Sequence, residues 1–162
     1  MPSTCAASSD QIACVRDAVL ETFPTMCGHQ LTYEGDEEPT REFSGVAGII
    51  SLVGDVSWSV TLGLPPETAM SLSNSFTGFE VEYESDDMAD LVGELANILA
   101  GDIAARLDRL HLRAGLSIPT VARGENLFLS QPDGACMRRM RFASPDGGFW
   151  LTLGIAPTHN SA

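Results

Sequence analysis

The chain has 162 residues, 44% of them hydrophobic and 19% charged, and a formal net charge of −13. That length suits one domain with a substantial core. The negative field repels phosphate backbones and anionic lipid, which argues against nucleic acid and membrane surfaces as partners. No apolar run reaches the roughly 20 residues of a membrane span. The opening Met1-Pro2-Ser3-Thr4 lacks the basic and apolar regions of a signal peptide, so the expected location is cytoplasmic.

Taken in chain order, residues 1–9 are small and polar and are expected to be a flexible N-terminus. Asp10 is read as the N-cap of a helix to about Phe23, with Ile12, Val15, Val19, Leu20 and Phe23 at helical spacing and Pro24 as the stop. A first strand is expected over Cys27 to Tyr33, then an acidic turn from Gly35 to Pro39. A hairpin follows, Phe43 to Val53 and Ser57 to Leu62, turned at Gly54-Asp55. Gly45 and Gly48 mark a bulge or a close backbone approach in its first strand. Pro65-Pro66-Glu67 opens a short helix through about Asn74, closed by Thr77-Gly78.

Ser85-Asp86-Asp87 caps the longest helix, about Met88 to Leu112, with Gly115 as its stop. Strands are expected over Ser117 to Arg123, Leu127 to Ser130, Ala135 to Phe142 and Phe149 to Ile155, with turns at Asp133-Gly134 and Asp146-Gly147-Gly148. This order reads as α+β: a largely antiparallel sheet with the long helices packed on one face. Residues 10–157 form the single domain, and 158–162 are expected to be a flexible C-terminus.

Cys5, Cys14, Cys27 and Cys136 form no CxxC pair, and His29, His111 and His159 stand at no metal-ligand spacing to them. Reduced, partly buried thiols are expected, and no zinc site. Arg106, Arg109 and Arg113 suit a helix C-terminus. Arg138, Arg139 and Arg141 share one strand and are not read as a binding patch.

The long helix carries the residues with chemical content. At about 100° per residue, Val92, Leu95, Ala96, Leu99, Ile103, Leu107 and Leu110 share an apolar face that must pack on the sheet. Asp90, Glu94, Asn97 and Gly101 step by four, three and four along the opposite side. A carboxylate there can pair with a cation on a partner. An amide one turn away carries both donor and acceptor, so it can hold a water but does not serve as a general base. Gly101 removes bulk and lets another backbone approach. In isolation such residues are usually solvated surface, and a bare Glu-x-x-Asn is unspecific.

The surroundings add more. Asp90-Leu-Val-Gly-Glu94-Leu-Ala-Asn97 resembles the signature helix of the CheC/CheX/FliY chemotaxis phosphatases. Ile118-Pro119-Thr120-Val121-Ala122-Arg123-Gly124 resembles the strand that follows it, with Ile118 in place of a first proline and Pro119 one residue short of the usual position. Upstream, the glycine-rich hairpin and Leu64-Pro65-Pro66-Glu67-Thr68-Ala69 are also similar. The likeness covers about Asp10 to Ile155. CheC and FliY carry two such motifs and CheX carries one. Here the first helix shows an echo, Asp17 and Glu21 with Pro24 where the amide would stand. Proline cannot position a water, so one site is counted, which is the CheX pattern.

The resemblance implies a phosphatase acting on the aspartyl-phosphate of a CheY-type response regulator. Glu94 would pair with the regulator's active-site lysine and Asn97 would orient the attacking water. Asp90 and Gly101 would face the partner. The chain would need no cofactor of its own, because Mg²⁺ would sit on the regulator. A homodimer paired through sheet strands is also implied. The competing readings are a non-catalytic module of the same fold that binds a response regulator or the flagellar switch, and an unrelated α+β domain with a stray motif. The docking reading requires Glu94 and Asn97 to be exposed, with Leu95 and Leu99 buried beneath.

Overall fold

A computed structural model describes residues 5–38, 42–129, 131 and 133–157. The expected termini 1–4 and 158–162, Pro39 of the expected turn and Ser130 of an expected strand lie outside the described residues.

Helix α1 spans Ser9–Cys27, and its N-cap is Ser8 instead of Asp10. Ser8 Oγ accepts from the Gln11 N–H at 3.2 Å and Gln11 Oε1 accepts from the Ser8 N–H at 3.1 Å. This reciprocal capping box satisfies two donors at once. The helix runs through Pro24, which removes one backbone donor in the last turns without ending them. Gly28 ends it in the left-handed conformation, at φ 74°.

Strand β1 is Thr32–Glu37, later than the sequence suggests, and it absorbs Gly35 to Glu37 of the expected turn. The reason is non-local. Strand β6, Cys136–Ala143, lies antiparallel to it, and Arg138, Arg139 and Arg141 form ion pairs with Asp36, Glu37 and Glu34. The acidic run is therefore one side of a cross-strand charge ladder.

The hairpin forms as expected. Strands β2, Glu42–Gly54, and β3, Ser57–Leu64, pair from Val53↔Ser57 to Val46↔Leu64. Helix α2, Pro66–Thr77, stops at Gly78. Helix α3, Asp86–Asp108, ends before the expected Leu112, and Gly115 belongs to strand β4, Ala114–Leu116. The stop is His111, at φ 62°. Its N–H donates to Asp108 O at 2.9 Å, and the Leu112 N–H reaches Leu107 O at 3.0 Å. These are the two bonds of a Schellman motif, built on histidine where glycine is usual.

Strand β5, Thr120–Phe128, is continuous where two segments were expected. A register shift between Phe43 and Gly45 of β2, with Asn126 at φ 51°, carries it past Gly124. Strand β7, Phe149–Ile155, completes the sheet. Among the described residues the order is β1-β6-β7-β3-β2-β4, with β5 also on β2, all antiparallel. One core cluster joins alternate residues such as Ile50, Leu52, Val60, Leu62, Phe142 and Leu151 to the inner sides of the helices. The class is α+β, with the helices sharing one face.

Cys5 and Cys136 form a disulfide across a sequence separation of 131, with Cα atoms 5.4 Å apart. This corrects the expectation of four reduced thiols, and it ties the segment before α1 to β6. No spacing in the sequence signals a pair that only the sheet brings together. Cys14 and Cys27 remain free thiols.

Candidate active site

The placement of α3 follows from its two ends and its underside. Ser85 Oγ accepts from the Met88 N–H at 3.1 Å, and Asp86 and Asp87 complement the helix dipole. Arg123 on β5 holds the turn before it. Its Nη1 donates to Tyr83 O and Ser85 O, each at 2.9 Å, and its Nη2 donates to Glu84 O at 3.1 Å. The guanidinium also lies over the Tyr83 ring, 5.8 Å from its centroid. Beneath, Gly48 of β2 admits the helix closely. A Cβ there would stand 2.8 Å from Ala96 Cβ and 3.0 Å from Val92 O.

Val92, Leu95, Ala96, Leu99, Ile103 and Leu107 are buried against the sheet. Leu110 is 39% exposed, because the helix has already ended. Asp90, Glu94 and Asn97 are exposed on the other side, and Gly101 is half-buried with open space where a side chain would project. The structure thus brings the four predicted site residues onto one accessible stripe.

Among the described residues, no hydrogen bond or ion pair engages the side chains of Asp90, Glu94 or Asn97. The acids of the echo in α1 differ. Asp17 pairs with Arg16 at 3.4 Å, and Glu21 pairs with Arg106. Arg106 also binds Asp102 at 3.1 Å, and Thr22 donates to the same Asp102 oxygen at 2.6 Å. Glu21 of the echo is tied to α3 through Arg106 and Asp17 is paired with its neighbour Arg16, whereas Asp90 and Glu94 are available to a partner.

The stripe is one wall of a groove of about 540 Å³. Ala89, Asp90, Gly93, Glu94 and Asn97 come from α3, and the facing wall is Leu116 to Pro119 with Val121. Sequence reasoning placed Ile118, Pro119 and Val121 in a motif but did not read them as a wall facing α3. The available clue was Ile118, an apolar residue between Ser117 and Pro119 with no strand alternation to bury it. Among the described residues no three His, Cys, Asp or Glu side chains converge as a metal-binding group, and no helix is long and apolar enough to cross a membrane.

The family model described as chemotaxis phosphatase CheX matches residues 46–142. A protein of Thermotoga maritima named CheY-P phosphatase CheX is 29% identical over 80 residues, 49% of this chain and 52% of that protein. The chain thus spans about half the length of the curated relative it matches. The crystal structure of a CheC-like superfamily protein from Shewanella sp. PV-4 superposes with a TM-score of 0.83 at 21% identity, covering 93% of this chain and all of that one. A chain of the CheX–CheY–BeF₃–Mg²⁺ complex from Borrelia burgdorferi gives 0.75 at 22% identity, covering 91% and 98%. At these identities the structural likeness establishes the fold. The family match extends over more than half of the sequence and includes the hairpin, helix α3 and strand β5, and the chain belongs to the chemotaxis phosphatase CheX family.

Proposed function

We propose that this chain hydrolyses the aspartyl-phosphate of a CheY-type response regulator. The observation that carries the reading is that Glu94 and Asn97 stand exposed on α3 with no partner among the described residues, while the acids of the α1 echo are held in ion pairs. Glu94 pairs with the regulator's active-site lysine and fixes the docking register. Asn97 then accepts one hydrogen bond from a water and donates another to it, holding it in line with the phosphoryl group. The water oxygen forms a bond to phosphorus, the bond to the aspartyl oxygen breaks, and the carboxylate and inorganic phosphate leave. Positioning supplies the protein's share of such a reaction, and the metal supplies charge neutralisation.

Mg²⁺ belongs to the regulator in this reading, and Asp90 and Gly101 face it from either end of the stripe. The assembly is a homodimer paired through sheet strands, and its compartment is the cytoplasm, where the regulator works. A charge of −13 keeps nucleic acid and anionic membrane away.

The test follows acid-labile phosphate on a phosphorylated CheY-type regulator with and without this chain. The expected result is faster loss with Mg²⁺ present and no acceleration after EDTA. Binding of the regulator without acceleration would replace the enzyme by a non-catalytic module of the same fold.

A further inference from the structure

Ile118 is 86% exposed, more than any other large apolar side chain among the described residues. It does not sit on a loose tip. The Ser117 N–H donates to Ser51 O at 2.9 Å, and the Ser51 N–H donates to Ser117 Oγ at 2.9 Å. The same hydroxyl donates to Ile118 O at 3.0 Å. One residue later Pro119 rests on α3, where a Cβ built on Gly93 would lie 3.6 Å from Pro119 Cγ. Thr120 then rejoins β2 opposite Ile49. Ile118 is thus held up between two anchored points, facing Glu94 and Asn97 across the groove. Leu116, 40% exposed, stands beside it on the helix side of the sheet, opposite buried Leu52.

The two walls ask for different chemistry. The α3 wall offers the unpaired carboxylates of Asp90 and Glu94, which call for a cation. The facing wall is apolar, and an exposed apolar patch rimmed by polar groups marks an interaction surface. About 540 Å³ takes a few side chains of a larger body. We propose that Ile118 and Leu116 form the apolar half of a two-walled dock for the regulator's receiver domain. They grip an apolar side chain of the regulator next to the lysine that meets Glu94. The inference rests on the phosphatase reading and adds a residue that sets affinity and partner choice without touching the reacting phosphate. A regulator with a polar residue at that position is a poorer partner.

The experiment compares the wild type with Ile118→Ser, Ile118→Leu and Asn97→Ala. It measures Kd for a BeF₃–Mg²⁺-loaded CheY-type regulator, and KM and kcat for phosphate loss. Ile118→Ser is expected to raise Kd and KM together by about tenfold, with kcat the smaller change. Ile118→Leu should restore both, and Asn97→Ala should show the reverse split. An active wild type whose Kd and KM are matched by Ile118→Ser would overturn the proposal and leave the phosphatase reading standing. A wild type that neither binds nor accelerates would end the phosphatase reading and this inference with it.

Discussion

Asn97 and Pro24 occupy matching places in two similar helical runs, and in the proposed reading the difference between them decides where chemistry can happen. An amide can hold a water by two bonds, whereas a proline ring offers neither donor nor side-chain acceptor. The neighbouring acids follow suit, since Glu21 is held by Arg106 and Glu94 is held by none of the described residues. Glu94→Gln is therefore expected to weaken regulator binding by about tenfold, as loss of one partner of a desolvated charge pair does. Isothermal titration of the wild type and the variant against the regulator checks this. A second residue tests the core. Cys27 is buried, and burial, aided by the charge of Asp146, pushes its thiol from 9.0 up to about 11. It should resist alkylation at pH 8 in the native protein and react when unfolded. Below pH 9 the shift has no effect on stability. Between pH 9 and about 11 only the unfolded chain ionises there, so stability falls as pH rises through that window.

Element placement depends on close contacts that can be probed singly. Gly48→Ala would drive a methyl into the Ala96 side chain and the Val92 carbonyl at 2.8 and 3.0 Å. It should cost about 1–3 kcal/mol, read as a lower denaturant midpoint with α3 displaced from β2. His111→Gly should do the opposite, since a left-handed non-glycine residue costs about 1 kcal/mol. A rise in Tm measured by calorimetry checks it. The sequence made some of this architecture readable and hid the rest for physical reasons. The β2–β3 hairpin and the underside of α3 were legible because turn residues and helical periodicity are local signals. Strand β1 was not, because its charges find their partners on β6, more than a hundred residues away. The end of α3 was missed because His111 takes a glycine's conformation. The common exposed face of Asp90, Glu94 and Asn97 on α3 was legible from spacing, whereas its reading as a site came from the family resemblance of the surrounding sequence. The Leu116–Pro119 wall was not, because its position depends on Ser117 replacing a rung of the sheet ladder at Ser51.

At the scale of the whole molecule, the three helices among the described residues cover one face of a sheet whose edges lie there at β1 and at β4 and β5. The Cys5–Cys136 bond closes nearly the full chain into a loop and fastens the segment before α1 to β6. Such a closure restricts the unfolded ensemble and stabilises by about 2–4 kcal/mol. Reduction, or Cys5→Ser, is expected to lower the urea midpoint accordingly while leaving the α3 groove intact. Urea titrations with and without reductant measure the first effect, and regulator binding measures the second. The groove sits on α3 and β4–β5, at the opposite side of the strand order from β6, so the fold can loosen at one edge and keep its site at the other.

The role of Asn97 is tested most directly by single-turnover loss of phosphate from a phosphorylated CheY-type regulator, with Mg²⁺ present, comparing the wild type with Asn97→Ala at saturating concentration. The variant is expected to bind the regulator still but to lose at least about a hundredfold of the acceleration, as removal of one positioned hydrogen-bonding group does. An Asn97→Ala variant that accelerates phosphate loss as well as the wild type would contradict it.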